Sequence, residues 1–155
     1  MLFDTSELTH LQAVIASVTG IQLPFSVQAA EGAGLVVEWE GAEAAVRAED
    51  TAALCRALFL LSRAVKEGKS ALHIEERRRF AHCGAMLDMS RNRVMTVEAV
   101  KQWINRQAAL GLNLLMLYTE DTYEIPEYPY FGYLRGRYTQ AELREIDDYA
   151  FSLGV

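Results

Sequence analysis

The run 84-GAMLDMS-90 is almost continuously apolar with one acid inside it, and 112-LNLLMLY-118 repeats that pattern further along. Both are too short for a helix and read as strands buried on both faces, the pattern of a parallel sheet. Between them Thr96 caps a helix in which Val97, Val100, Trp103, Ile104 and Ala108 keep helical spacing, with Glu98 in the first turn and Gly111 as the stop. The second strand runs into a long aromatic loop, 119-TEDTYEIPEYPYFGYLRGRY-138. A last helix follows in 139-TQAELREIDDYAFSLG-154, with Thr139 as cap, Glu142 completing a capping box and Gly154 as stop. Strand, helix, strand, loop, helix is βα repetition, so the fold class is α/β with a parallel sheet. The sequence closes at Val155, where a third strand is expected, and two apolar strands alone lack neighbours. The expectation is the opening portion of a longer βα protein.

Upstream the grammar differs. Leu8, Leu11, Ile15 and Val18 predict a surface helix after Asp4-Thr5-Ser6, ended by Gly20. Beyond Pro24, 34-GLVVEWEG-41 and 42-AEAAVRAED-50 alternate and meet at Gly41, as two strands of a hairpin, although the Ala-rich second run also suits a helix. Asp50-Thr51 opens a core helix with Leu54, Leu58, Leu61 and Val65 on one face, stopped by Gly68. A strand is expected in 70-SALHIE-75. The basic run Arg77-Arg78-Arg79 then reads as a solvated connector or an anion site. It sets the domain boundary, giving an α+β domain over 1–79 and a βα portion over 80–155.

At 155 residues, 51% apolar and 23% charged, the chain has ordinary globular composition for about one domain. Fifteen Lys and Arg against 21 Asp and Glu leave a net charge of −6, which argues against nucleic acid or a membrane surface as partner. Two cysteines are too few for a disulfide framework, and no Cys/His spacing suggests zinc or another metal. No cofactor motif is seen. The stretch 1-MLFDTSELTHL-11 has no basic region ahead of an apolar run, and no segment reaches about 18 uninterrupted apolar residues. A cytoplasmic location is expected.

The segments 85-AMLDMSRN-92 and 112-LNLLMLYTEDTYEIPEYPYFGYLRGRYT-139 resemble glycoside hydrolase family 20, the β-N-acetylhexosaminidases. In that family the first barrel strand carries an LDxSR pattern followed by Asn or His. The second ends in two acids and enters a Tyr-Pro-rich loop before a Tyr-Thr helix cap. The resemblance is strong over 80–155, and residues 1–79 resemble, more weakly, the small domain that precedes the barrel. It implies the opening βαβα portion of a (β/α)₈ barrel, a TIM barrel of about 250 residues when whole, cut before its third strand. It further implies a retaining exo-hydrolase of terminal β-linked GlcNAc or GalNAc, in which the substrate's own 2-acetamido oxygen attacks the anomeric carbon. The family's Asp-Glu catalytic pair lies on a later strand, so no catalytic residue is assigned here and this chain alone is expected to be inactive and prone to self-association. The alternative is a non-catalytic remnant acting as a binding or interaction module.

Carried over residue by residue, Arg91 matches the family arginine that donates to hydroxyls of the terminal sugar, a task suited to a fixed fork of donors. Glu120 stands where the family commonly has Asp, and Asp121 beside it competes for the role, so both acids are candidates. The rival reading is an Arg91–Glu120 salt bridge across adjacent strands. Asp88 reads as a buried, hydrogen-bonded structural acid, and Tyr123, Tyr128, Tyr130 and Tyr133 as sugar-stacking or rim-packing residues. His10, His73 and His82 show no ligand spacing, and Cys83 reads as a buried thiol.

Overall fold

Helix-capping chemistry sets where each of the four helices begins. In the computed structural model, which describes residues 3–91 and 93–155, Asp4 caps α1 (Thr5–Thr19), Asp50 caps α2 (Thr51–Lys66), Thr96 caps α3 (Val97–Ala109) and Thr139 caps α4 (Gln140–Ser152). The capping box of Thr139 and Glu142 forms as expected. Asn92 of the quoted motif lies outside the described residues, as do the first two residues of the N-terminal stretch.

The first sheet holds β1 (Ser26–Glu31), β2 (Leu35–Glu40), β3 (Glu43–Ala48) and β4 (Ala71–Glu76) in the order β1-β3-β2-β4. β2 and β3 form the expected hairpin, with Gly41 left-handed at φ 64° in its turn. The Ala-rich run is therefore a strand. It buries Ala44, Val46 and Ala48 on one face and exposes Glu43, Ala45 and Arg47 on the other. β1, which the sequence reading passed over, pairs parallel to β3. Its sequence, SVQAAE, has little apolar alternation, so only the neighbouring strand makes it one.

One face of this sheet packs on α2, and α1 packs in turn on α2. α2 buries ten residues, among them Leu54, Leu58 and Leu61, while α1 buries Leu11 and Ile15 almost completely. α1 is thus the surface helix expected, with Leu11, Val14 and Ile15 buried on one face. The apolar core runs without a break from Leu11 through α2 into Val100, Ile104, Ile146 and Leu153. Two glycines mark close approaches between the two halves of the sequence. A Cβ on Gly154 would lie 2.6 Å from the Ala52 nitrogen, and one on Gly111 would lie 3.0 Å from the Arg56 Cβ.

The expected boundary run is not simply solvated. Arg77 and Arg79 are exposed, but Arg78 donates twice to the Asp50 carboxylate, at 2.7 and 3.0 Å, and tethers the chain to the start of α2.

The second sheet has two strands, β5 (Gly84–Asp88) and β6 (Leu114–Tyr118), parallel and in register from Gly84↔Leu114 to Asp88↔Tyr118. Leu87, Leu115 and Leu117 turn toward the core to which α3 and α4 contribute. On the opposite face Met86 and Met116 are more than half exposed. Burial on both faces, expected from the apolar runs, is therefore corrected. Alternating side chains point to both sides of a sheet, and among the described residues a helical layer covers only one. No helix of the described residues is long and apolar enough to cross a membrane.

Candidate functional site

The residues singled out in the sequence stand where β5 and β6 release the chain at their C-terminal ends. Asp88, the last residue of β5, accepts from the Ser90 amide (2.9 Å), the Ser90 hydroxyl (2.7 Å), the Arg91 amide (3.2 Å) and Arg91 Nε (2.7 Å). These donors, those of Ser90 first, hold its carboxyl well below the usual carboxylate range. Asp88 is the structural acid expected, but it is half-buried, because it lies on the uncovered face of the sheet opposite Tyr118.

Arg91 thus has its ion pair with Asp88, three residues back, and its side chain is 64% exposed. The guanidinium carbon lies 5.2 Å from the centroid of the Tyr118 ring. Tyr118 in turn donates its hydroxyl to Glu120 Oε1 at 3.0 Å, which raises the phenol's ionisation above its usual value. Glu120 is left-handed at φ 46°, uncommon for a side chain with a Cβ, at the turn that ends β6. Buried Thr122 closes that turn by donating its amide and hydroxyl to the Thr119 carbonyl. Arg91 and Glu120 are therefore brought to one place, joined through a tyrosine rather than by the direct cross-strand bridge weighed as the rival.

Asp121 turns elsewhere. Its Oδ1 lies 3.2 Å from Arg135 Nε, and Arg135 also donates through Nη2 to the Ser90 carbonyl, tying the long loop over the end of β5. Arg137 braces the same loop by donating to the carbonyls of Pro129 and Phe131. Gly132 packs so closely on the Asp121 carbonyl that a Cβ would lie 2.3 Å from it. Tyr138 is buried and donates to the Met95 carbonyl. Tyr123 is half-buried and meets Phe131 edge-on, so it packs the loop, whereas Tyr128, Tyr130 and Tyr133 are exposed.

Sequence reasoning missed Tyr118, Arg135 and Arg137. The signal for the two arginines was present in 134-LRGRY-138, where paired cations in an otherwise neutral turn call for internal acceptors. Tyr118 carried none, because within an apolar run it reads as core.

The remaining titratable groups lie apart. His73 is 3.9 Å from Glu38 on the first sheet, and no group of three or more metal-capable side chains occurs among the described residues. Cys83 is exposed, against expectation, because it precedes a two-stranded sheet whose end is uncovered. The buried thiol is Cys55, which burial pushes up to about 12.

No protein-family profile matches the sequence, and neither does any curated protein. Solved structures do. One described as a glycoside hydrolase family 20 β-N-acetylglucosaminidase is 26% identical with a TM-score of 0.77, covering 98% of this chain and 35% of that one. The Streptomyces plicatus N-acetyl-β-hexosaminidase in complex with Thio-NAglucal is 23% identical with a TM-score of 0.71, covering 99% and 39%. The exo-β-N-acetylglucosaminidase of Vibrio harveyi in complex with N-acetylglucosamine is 19% identical with a TM-score of 0.74, covering 97% and 30%. The chain spans about a third of the length of these enzymes. Along nearly its whole length, then, this chain is similar to a part of the glycoside hydrolase family 20 β-N-acetylglucosaminidases.

Proposed function

We propose that the chain supplies part of the sugar-binding face of a retaining exo-β-N-acetylhexosaminidase, with residues 1–79 as its accessory α+β domain and 80–155 as the first two βα units of its barrel. The observation that carries this reading is the pair Arg91 and Glu120, each held by Tyr118 at the C-terminal ends of adjacent parallel strands, the end at which barrel enzymes build their sites. Arg91 spends Nε on Asp88 and presents the rest of its fork to solvent, suited to donate to hydroxyls of a terminal N-acetylhexosamine. Glu120 accepts from the same sugar. Asp121, engaged by Arg135, holds the loop instead.

The reaction itself is substrate-assisted, the 2-acetamido oxygen attacking the anomeric carbon. The acid that polarises that amide and the general acid come from a later strand. This chain therefore positions a sugar without transferring it, since orientation by two residues cannot supply proton transfer. The face of Met86, Leu114 and Met116 turns to the barrel interior in the whole enzyme, and in the isolated chain it drives self-association.

The test is titration of the chain with N-acetylglucosamine, followed by nuclear magnetic resonance, beside an assay on a chromogenic N-acetylglucosaminide. Saturable shifts at the ends of β5 and β6, weakened about tenfold or more by Arg91→Lys, with no turnover, are expected. Turnover abolished by Glu120→Ala, or an Arg91→Lys chain that binds normally, would refute the reading.

A further inference from the structure

Arg91 and Glu120 sit on different strands, and an exposed arginine and an exposed glutamate have many rotamers each. A site that reads hydroxyl positions needs both charged groups held, and the fold restrains each of them through one side chain. Tyr118 is the last residue of β6, directly opposite Asp88 in the register. Its ring lies under the Arg91 guanidinium at 5.2 Å, and its hydroxyl donates to Glu120 at 3.0 Å. Asp88 fixes Arg91 from the other side at 2.7 Å. The result is a continuous chain, Asp88 to Arg91 to Tyr118 to Glu120, along the uncovered end of the sheet.

Resting on the sugar-binding reading above, we propose that Tyr118 is a positioning residue for that site: its ring face orients the Arg91 donors while its hydroxyl orients the Glu120 carboxylate, setting the spacing between donor and acceptor that a saccharide must match.

Three features support a role beyond packing. Tyr118 is 40% exposed, so little of its ring serves the core. Of the residues sharing its face, Met86, Leu114 and Met116 are apolar and Asp88 is engaged by Ser90 and Arg91, so the hydroxyl turns to Glu120. Glu120 holds a left-handed backbone, an unfavourable conformation that directs its carboxylate back onto the phenol. A tyrosine is the residue that can meet a cation with its face and a carboxylate with its tip.

The experiment compares the full chain with Tyr118→Phe, Tyr118→Leu and Arg91→Ala by N-acetylglucosamine titration and thermal melting. Tyr118→Phe keeps the ring beneath Arg91 and releases only Glu120, so affinity falls about fivefold to tenfold at an unchanged melting temperature. Tyr118→Leu loses both restraints and binds more weakly still. With tyrosine ring carbons labelled, the Tyr118 phenol of the wild type ionises above its usual value, and Glu120→Gln lowers that ionisation. Wild-type affinity in Tyr118→Phe, with Arg91→Ala defective, overturns the positioning role and leaves the sugar site standing. Absence of binding in the wild type, or normal binding in Arg91→Ala, overturns the sugar site and this inference with it.

Discussion

Replacing Gly84 with alanine tests the strand pairing on which the site depends. Gly84 opens β5 opposite Leu114 of β6, and it is exposed, so by burial alone the substitution looks harmless. The geometry says otherwise. A Cβ built on Gly84 lies 1.7 Å from the Leu114 carbonyl oxygen, 2.5 Å from its carbonyl carbon and 2.8 Å from its Cβ. Two of these are backbone atoms, so no rotamer change relieves the clash, and β5 must move away from β6 at its first residue. Overpacking of this kind costs about 1–3 kcal/mol, and loss of the adjoining ladder bonds adds to it. The unfolded-state benefit of a Gly→Ala change recovers only about 0.4–1 kcal/mol. The net destabilisation is about 2–3 kcal/mol. An unfolding entropy of about 2.1 cal/mol/K per residue gives roughly 0.33 kcal/mol per degree for this chain, so the melting temperature falls by about 6–9 °C. Gly41→Ala is the control: it meets nothing within 4 Å but has φ 64°, so it carries only the left-handed cost of about 1–2 kcal/mol, or about 3–6 °C. Circular dichroism melts of the two variants, with amide exchange along β5 and β6, make the comparison. A Gly84→Ala chain that melts at or above the wild type, with β5 amides still protected, would refute the argument that the strands meet at this separation.

Two further outcomes follow from the tether and the thiols. Burial raises the Asp50 carboxyl, but the Arg78 hydrogen bonds and the α2 backbone donors outweigh it and leave it below its usual value. The folded value is thus below the unfolded one, so the stabilisation is present above the unfolded carboxylate value and is lost as pH falls through the folded one. Arg78→Ala should therefore lower the melting temperature by about 3–6 °C at neutral pH, from about 1–2 kcal/mol, and by less at pH 3; an equal drop at both would remove the Asp50 pairing as the cause. With a chromogenic disulfide reagent the native protein should show one fast thiol, abolished by Cys83→Ser, because Cys55 is buried and held protonated; two fast thiols would show that the core opens at Cys55.

What was legible in the sequence was local chemistry. Caps at Asp4, Asp50, Thr96 and Thr139 satisfy free helix amides, and left-handed glycines at 20, 41, 68, 111 and 154 end elements in a conformation that penalises other residues. The hairpin at Gly41, the βα order from residue 84 and the resemblance carried by 85-AMLDMSRN-92 and the Tyr-Pro-rich loop follow from short-range pattern alone. Tertiary structure decided everything that depends on which surface meets which. β1 became a strand only through its pairing with β3, and the apolar face of α1 is buried because α2 and α3 lie against it. The apolar runs of β5 and β6 gave no sign that one face would be left uncovered, because apolar composition records what a strand suits and not how many layers are present. At the site, sequence placed Arg91, Glu120 and Asp121 near one another but could not say how they divide. That division came from the arrangement in space, with Asp88 and Tyr118 holding Arg91, Tyr118 holding Glu120, and Arg135 reaching back from the loop to take Asp121. These are contacts between residues on different elements, whose geometry is set by the packing of strands and loop together, and no spacing along the chain encodes them.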